Sequence, residues 1–473
     1  MKRALLFLVA MMSLGCGAHR PPLPPPLHPL ATHQPLPPEP QPSTAPLTLT
    51  LPETESFTLP SGVEVQVVTR PHALVGHVAL LAAGGWLGDG GRVEDDVVLD
   101  DLLQTTLNMS SRIDERGLRL HRSEVATNAL PRAIQLLEAL RTLRFTRAQV
   151  THAAGARTEE RALYRRAWIH SVHFDLIRRL YGPDSPHAVW NNPMRRLEVV
   201  QHARLNARLQ QIVAPRHLTL VIVSSYDAEF VRAALLAATA SWPAGEHGRR
   251  RRLTAPAFHR EVNQQHSAPA HPQAIGYSSS SEMGHITLME GGPSAFAADH
   301  AAYRVAVRVL GGMYSSRPNA VFREERRESY GAQSRIRAHA GYSLMSFYMS
   351  VRPDQLGDAL RILTGELSRV GHVESLSEDE VERARRIELA TEASRFDNAE
   401  SIAKSILTAR AEGQTLDAYV QRFAAMQRVS RADVALAGLA WMRPTDAPIA
   451  VVANGYWIAT HELSVPGGYE RAR

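Results

Sequence analysis

The chain has 473 residues, of which 44% are apolar, 21% charged and 6% aromatic. That composition excludes a disordered or collagen-like chain, and at about 150 residues per domain the length points to two or three domains. The formal charge is +6, and a single cysteine rules out an intrachain disulfide framework and every metal site built of several thiolates.

The cysteine is Cys16. Before it stand Met1-Lys2-Arg3, an apolar run from Ala4 to Met12, and Ser13-Leu14-Gly15. A basic start, an apolar core of about ten residues and small residues before the break have the form of a secretory signal, too short to span a bilayer. The Gly15-Cys16 ending resembles the lipobox of bacterial lipoproteins, which implies that Cys16 becomes a lipidated N-terminus; plain secretion is the alternative. Residues 1–16 are therefore read as a lipoprotein-type signal. Residues 17–54 form a spacer, with twelve prolines between Pro21 and Pro46. Such a segment cannot donate enough backbone hydrogen bonds for helix or sheet and extends at about 3 Å per residue.

The first folded stretch, 55–246, opens with Phe57 to Val68, an alternating strand pair around Pro60-Ser61-Gly62. A strand follows at His77 to Ala83, ending at Gly84-Gly85. Helical periodicity then runs from Val97 to Leu107, Leu130 to Leu143 and Val150 to Tyr181. Pro215 to Ser225 is a buried strand, and Ala228 to Ala240 an amphipathic helix. An arginine-rich linker, 247–272, holds Arg249-Arg250-Arg251-Arg252. The second stretch, 273–466, repeats the plan. It has a strand at Gly284 to Gly292, a helix from Asp299 to Leu310, and strands at Tyr330 to Ala338 and Leu344 to Val351. Long helices cover Pro353 to Val370 and Ser377 to Glu412, a last strand covers Ile449 to Ala453, and residues 467–473 are a tail. The fold class is α+β: two homologous domains, each an antiparallel-rich sheet with helices packed on one side.

The basic balance does not indicate nucleic acid. Nearly all of it is arginine, with lysine only at Lys2 and Lys404, and it is scattered among acids rather than gathered into one stripe. The Arg249–Arg252 run reads as a solvated linker.

Several segments together resemble the insulinase/pitrilysin family of zinc metallopeptidases (inverzincins), including bacterial relatives of the mitochondrial processing peptidase. They are Leu59-Pro60-Ser61-Gly62-Val63, Ala83-Gly84-Gly85, the Ala214 to Val223 strand with Trp242-Pro243, and Gly311-Gly312-Met313-Tyr314-Ser315-Ser316-Arg317 leading to Phe322-Arg323-Glu324-Glu325-Arg326 and Ser329-Tyr330-Gly331. The resemblance spans about Glu55 to Val465. It implies two homologous domains in a clam-shell arrangement, one carrying zinc and the other closing over substrate.

The family's chemistry uses His-x-x-Glu-His on the first long helix: two imidazoles at i and i+4 take zinc from one side, and the glutamate accepts a proton from the metal-bound water. Counted from Ala83-Gly84-Gly85, that motif falls on Val97-Val98-Leu99-Asp100-Asp101. Both histidines are missing, and aspartate replaces the base. The apolar face Val98, Leu99, Leu102, Leu103, Leu107 leaves Val97, Asp100, Asp101 and Gln104 on the face where ligands would project. Glu160, with Glu159 as neighbour, matches the third ligand. Asp101 and Glu160 are hard oxygen donors that suit magnesium or calcium better than zinc. None of His121, His152, His170 or His173 sits in a metal-binding spacing. The cofactor expectation is therefore none, with no zinc. The resemblance assigns Arg323 and Tyr330 to contacts with substrate backbone.

The expected protein is an exported, lipid-anchored, non-catalytic member that pairs with a catalytic insulinase-family subunit and can hold extended peptide. An active metalloendopeptidase with an atypical site and a structural envelope lipoprotein are the alternatives.

Overall fold

The computed structural model describes residues 47–473 apart from 84–91, 115, 167, 184, 186–187, 189–191, 193–196, 244–273, 339–342, 445–446, 464–467 and 473, and the side chains of 162–166. Cys16, most of the spacer, Gly84-Gly85 and the Arg249–Arg252 run lie outside the described residues. Leu49–Arg473 forms one compact unit.

In the first half, β1 (Glu55–Thr58) and β2 (Glu64–Thr69) form a hairpin. Its turn depends on Gly62, whose φ of 94° only glycine adopts without strain. There follow β3 (Val75–Ala83), α1 (Val93–Leu107), β4 (Ser110–Asp114), β5 (Gly117–Val125), α2 (Ala129–Thr142), α3 (Arg147–Arg166), α4 (Trp168–Tyr181), α5 (His202–Ile212), β6 (Leu218–Ser224) and α6 (Ala228–Ala238). The six strands lie in the order β1-β2-β6-β3-β5-β4. Only the β2–β6 pairing is parallel.

The second half holds β7 (Ala274–Ser279), β8 (Gly284–Gly292), α7 (His300–Val307), β9 (Ala332–Ala338), β10 (Ser343–Val351), α8 (Leu356–Val370), α9 (Glu378–Ala393), α10 (Ala399–Ala411), α11 (Asp417–Gln427), α12 (Arg431–Trp441), β11 (Ile449–Asn454), α13 (Gly455–Thr460) and β12 (Tyr469–Arg471). Its sheet order is β12-β7-β11-β8-β10-β9. Taken inward from the first-named edge, β7-β11-β8-β10-β9 reproduces β2-β6-β3-β5-β4, with the parallel pair again second from that edge. Tyr469–Arg471 adds a parallel strand beside β7.

One helical run that reads as continuous in the sequence, Ser377 to Glu412, is broken, and the break helps to organise the molecule. The Val150 to Tyr181 run is helical as α3 and α4, on either side of residue 167, which lies outside the described residues. The Ser377 to Glu412 run divides into α9 and α10 at Ser394–Phe396, where the Asn398 side chain accepts from Ser401 N at 2.9 Å and starts a new helix. Both α4 and α10 cross to the other half. On α4, Val172, Leu176, Ile177 and Tyr181 pack on Ile275, Tyr277, Met289, Leu344, Ala450 and Val452 of the second sheet. On α10, Ala399, Ile402, Ala403, Ile406 and Leu407 pack on Val68, Ala79, Leu81, Val221 and Val223 of the first.

Each sheet therefore has its own helices on one face and its neighbour's helix on the other. The period-2 alternation of β3 shows this directly. Val78, Leu80 and Ala82 enter their own half's core, while Ala79 and Leu81 meet α10. This is why β3 and β6 read as nearly unbroken apolar runs.

Candidate functional site

The position of α1 is set by charge pairs at its start. Its first turn carries Glu94, Asp95 and Asp96, acids placed where the helix dipole favours them. Two arginines one turn apart on α5 clasp two of these acids. Arg204 donates to Asp95 at 2.6 and 2.8 Å, and Arg208 to Asp96 at 3.0 and 3.3 Å. The Arg208–Asp96 pair is fully enclosed, with side chains 4% and 0% exposed. Burial pushes the Asp96 carboxyl up, and the Arg208 bond and charge only partly counter it. Breaking one partner of such a pair costs about 3–5 kcal/mol. The clue in the sequence was the i, i+4 spacing of Arg204 and Arg208 opposite adjacent aspartates.

The apolar face of α1 enters the first core, and Val97 goes with it. Val97 is 7% exposed and belongs to that cluster, which corrects its expected place on the projecting face: a branched apolar side chain at the helix flank is drawn under α1 by the hydrophobic effect. Asp100 and Asp101 stay at the rim. Ser111 Oγ on β4 donates to Asp100 at 2.6 Å. Burial raises the Asp100 pKa, opposed by Ser111, Arg157 and Arg112 and reinforced by Asp101.

Arg157 of α3 occupies the space between the two acids expected to face a metal. Its Nε lies 3.9 Å from Asp101 Oδ1, and its Nη1 donates to Glu160 Oε2. All three side chains are about one-third exposed. Burial works against the guanidinium charge, but the bond to Glu160 and the charges of Glu160, Asp101 and Asp100 outweigh it and raise its pKa. Glu159 points to solvent. The donor set does not fit zinc: it offers two carboxylates, no imidazole, and a cation already between them. Among the described residues no group of three or more His, Cys, Asp or Glu could hold a metal ion.

The other candidates lie elsewhere. His170 is exposed on α4, and His173 is half-buried there, its pKa depressed to about 4 by burial, with Arg337 and His170 adding to the effect. His152 is exposed on α3, and His121 on β5 stands beside His77. Arg323 lies in the short π-helix Ala320–Glu325, its guanidinium carbon 3.3 Å from the centroid of the Tyr314 ring, a cation–π stack. Tyr330 is 88% exposed and precedes β9, which starts two residues later at Ala332. Asn319, buried below, braces this segment by donating to Met313 O and Ala332 O and accepting from Ala332 N at 2.6 Å. The stack leaves Tyr330 as an unobstructed phenol next to the end of an edge strand.

Residues 200–388 match the family model for the Peptidase M16 inactive domain. Over that stretch the chain is M16-like. Solved structures share its fold. A protease from Helicobacter pylori is 13% identical with a TM-score of 0.68, covering 85% of this chain and 100% of that one. A peptidase M16 inactive domain from Pseudomonas fluorescens is 15% identical with a TM-score of 0.67, covering 85% and 98%. The periplasmic protease PqqL from Escherichia coli is 14% identical with a TM-score of 0.66; the match covers 88% of this chain and 49% of that one. No curated protein matches in sequence. The two-domain α+β architecture expected from the sequence is the architecture of these M16-like proteins.

Proposed function

We propose that this M16-like chain is a pseudo-peptidase: an exported protein, anchored through a lipid on Cys16, that binds extended peptide as the non-catalytic partner of a zinc-bearing insulinase-family subunit. The observation that carries the reading is the Arg157 guanidinium held between Asp101 and Glu160. A fixed cation there repels a second cation, and neither imidazole needed to hold zinc is present. The matching model's description as an inactive domain supports the reading. The periplasmic description of PqqL and the signal-like start support export. Arg323 and Tyr330 supply a guanidinium and a phenol suited to peptide carbonyl oxygens.

The test is isolation of the tagged full chain from membranes, with mass-spectrometric identification of partners, metal analysis and a peptide-cleavage assay. The expected result is no stoichiometric zinc, no cleavage by the chain alone, and recovery of a second chain bearing His-x-x-Glu-His. Stoichiometric zinc with cleavage of peptide overturns the reading. Recovery without any protease homologue and without peptide binding supports a structural envelope role instead.

A further inference from the structure

A second chemistry-bearing place lies away from Asp101, Arg157 and Glu160. It is a cavity of about 430 Å³ walled mainly by the second half and closed by Arg116 of the first. Six arginines line it: Arg116, Arg304, Arg308, Arg335, Arg395 and Arg422. The carboxylates among the lining are Glu388 and Glu412. A third, Glu392, is buried behind and takes bonds from Arg304, Arg395 and Arg422 at 2.7, 3.2 and 3.3 Å. Three positive charges are thus left over. Glu388 is already engaged by Arg304 and Arg308, and Glu412 by Arg116.

These acids hold the arginines in place without exhausting them. Each guanidinium has five N–H donors, more than the carboxylates can accept. Arg116 is fixed at the lip, donating to Ala338 O at 2.8 Å. Arg422 and Arg395 are braced against the Tyr419 ring, 4.3 and 5.7 Å from its centroid. His300 also lines the cavity. It is 4% exposed, and its Nδ1 is buried without a hydrogen-bond partner among the described residues. Burial, with Arg304 and Arg422 adding to it, depresses this histidine to about 3, so its ring adds no positive charge to the wall.

We infer that this cavity binds a phosphate-type oxyanion carrying two or more negative charges. A monocarboxylate would leave two of the three surplus charges unmatched. Planar guanidinium groups from several directions suit the tetrahedral oxygens of phosphate, which accept paired N–H donors. The volume is at the lower end of small-ligand pockets, large enough for a pyrophosphate-sized group.

The test uses the purified full chain and inorganic pyrophosphate, inorganic phosphate and acetate at constant ionic strength, by calorimetric titration and thermal unfolding. Pyrophosphate is expected to bind and raise the unfolding midpoint, phosphate to bind more weakly, and acetate to do neither. Arg335→Gln and Arg395→Gln, chosen because their side chains reach solvent, should each fold normally and weaken pyrophosphate binding about tenfold. A variant with Arg249, Arg250, Arg251 and Arg252 all changed to Gln should bind as the parent does. The inference is overturned if neither phosphate binds at millimolar concentration or acetate competes equally. It is also overturned if Arg335→Gln and Arg395→Gln bind unchanged, or if the linker variant loses binding.

Discussion

The Arg157 guanidinium on α3 reaches across to the Asp101 carboxylate on α1, Nε to Oδ1 3.9 Å, while the same head group bonds Glu160 one turn further along its own helix. The two carboxylates are thereby matched to one tethered monovalent cation. A guanidinium satisfies the two carboxylates electrostatically but has no open coordination position and cannot polarise a water for attack.

That pairing can be undone by design. Val97→His, Asp101→His and Arg157→Ala in one chain would supply two imidazoles at i and i+4 of α1 with the guanidinium beside Glu160 gone, the ring at position 97 having to turn out from the core flank. The combined variant is expected to bind about one zinc per chain, because two imidazoles and a carboxylate are a sufficient set. Metal analysis after dialysis reads it. Val97→His puts a polar ring at a core position, so the variant should also melt several degrees lower than the parent. Stoichiometric zinc in the parent chain would contradict the reading of Arg157.

How far the sequence foretold this site can be traced through the same residues. The helix that carries Val97 to Asp101 could be located because the strand ending at Ala83 and the apolar stripe of α1 are strong local patterns. The function of Arg157 could not, since Arg157 and Glu160 at i, i+3 are indistinguishable from an ordinary surface pair until α3 is laid beside α1. The β4–β5 hairpin escaped because Ser110–Asp114 and Gly117–Val125 carry many charges and follow no clear alternation; their pairing is set by the sheet. Exchange of α4 and α10 is likewise invisible locally: an apolar stripe says that a face is covered, not by which half.

The exchange makes the halves interdependent. Leu176 on α4 is fully enclosed and Ile406 on α10 is 2% exposed, so Leu176→Ala and Ile406→Ala should each cost about 2–5 kcal/mol. Produced separately, chains 47–243 and 274–473 would each present an uncovered apolar sheet face and are expected to aggregate, whereas co-expression should recover a soluble complex. Size-exclusion chromatography of the three samples decides it. Two soluble, cooperatively unfolding monomers would refute the interdependence.

Where α10 covers the first sheet, a histidine is trapped neutral. His77 on β3 is fully buried; its Nδ1 lies 3.1 Å from Ser123 Oγ and its ring centroid 5.5 Å from that of His121. Burial first, then His121, with Glu400 opposing and Lys404 adding, lowers its pKa from 6.5 to about 4. A base whose folded pKa lies below its unfolded value binds more protons when unfolded, so stability is full above pH 6.5 and falls as pH drops towards 4. The loss at pH 5 is about 2 kcal/mol. Urea unfolding of the parent and of His77→Asn at pH 7.5, 6 and 5 should show a shallower decline in the variant. Parallel declines would show that His77 does not titrate in this way.

Glu392 acts in the opposite sense and at lower pH. Its carboxylate is 1% exposed at the centre of Arg304, Arg395 and Arg422. Burial alone would raise its pKa, but the three guanidinium charges and the Arg304 bond bring it down to about 2 from 4.5. An acid whose folded pKa is depressed stabilises the fold above its unfolded value, and that stabilisation disappears as pH falls from 4.5 to 2. The shift corresponds to about 3 kcal/mol at neutral pH. Glu392→Gln keeps the shape and removes the charge, leaving three arginines to repel one another. It should therefore lower stability by about 3 kcal/mol at pH 7 and by progressively less below pH 4. Chemical denaturation across pH 3 to 7 reads both effects. A penalty that stays constant with pH would mean that packing, and not the carboxylate charge, organises the arginine cluster.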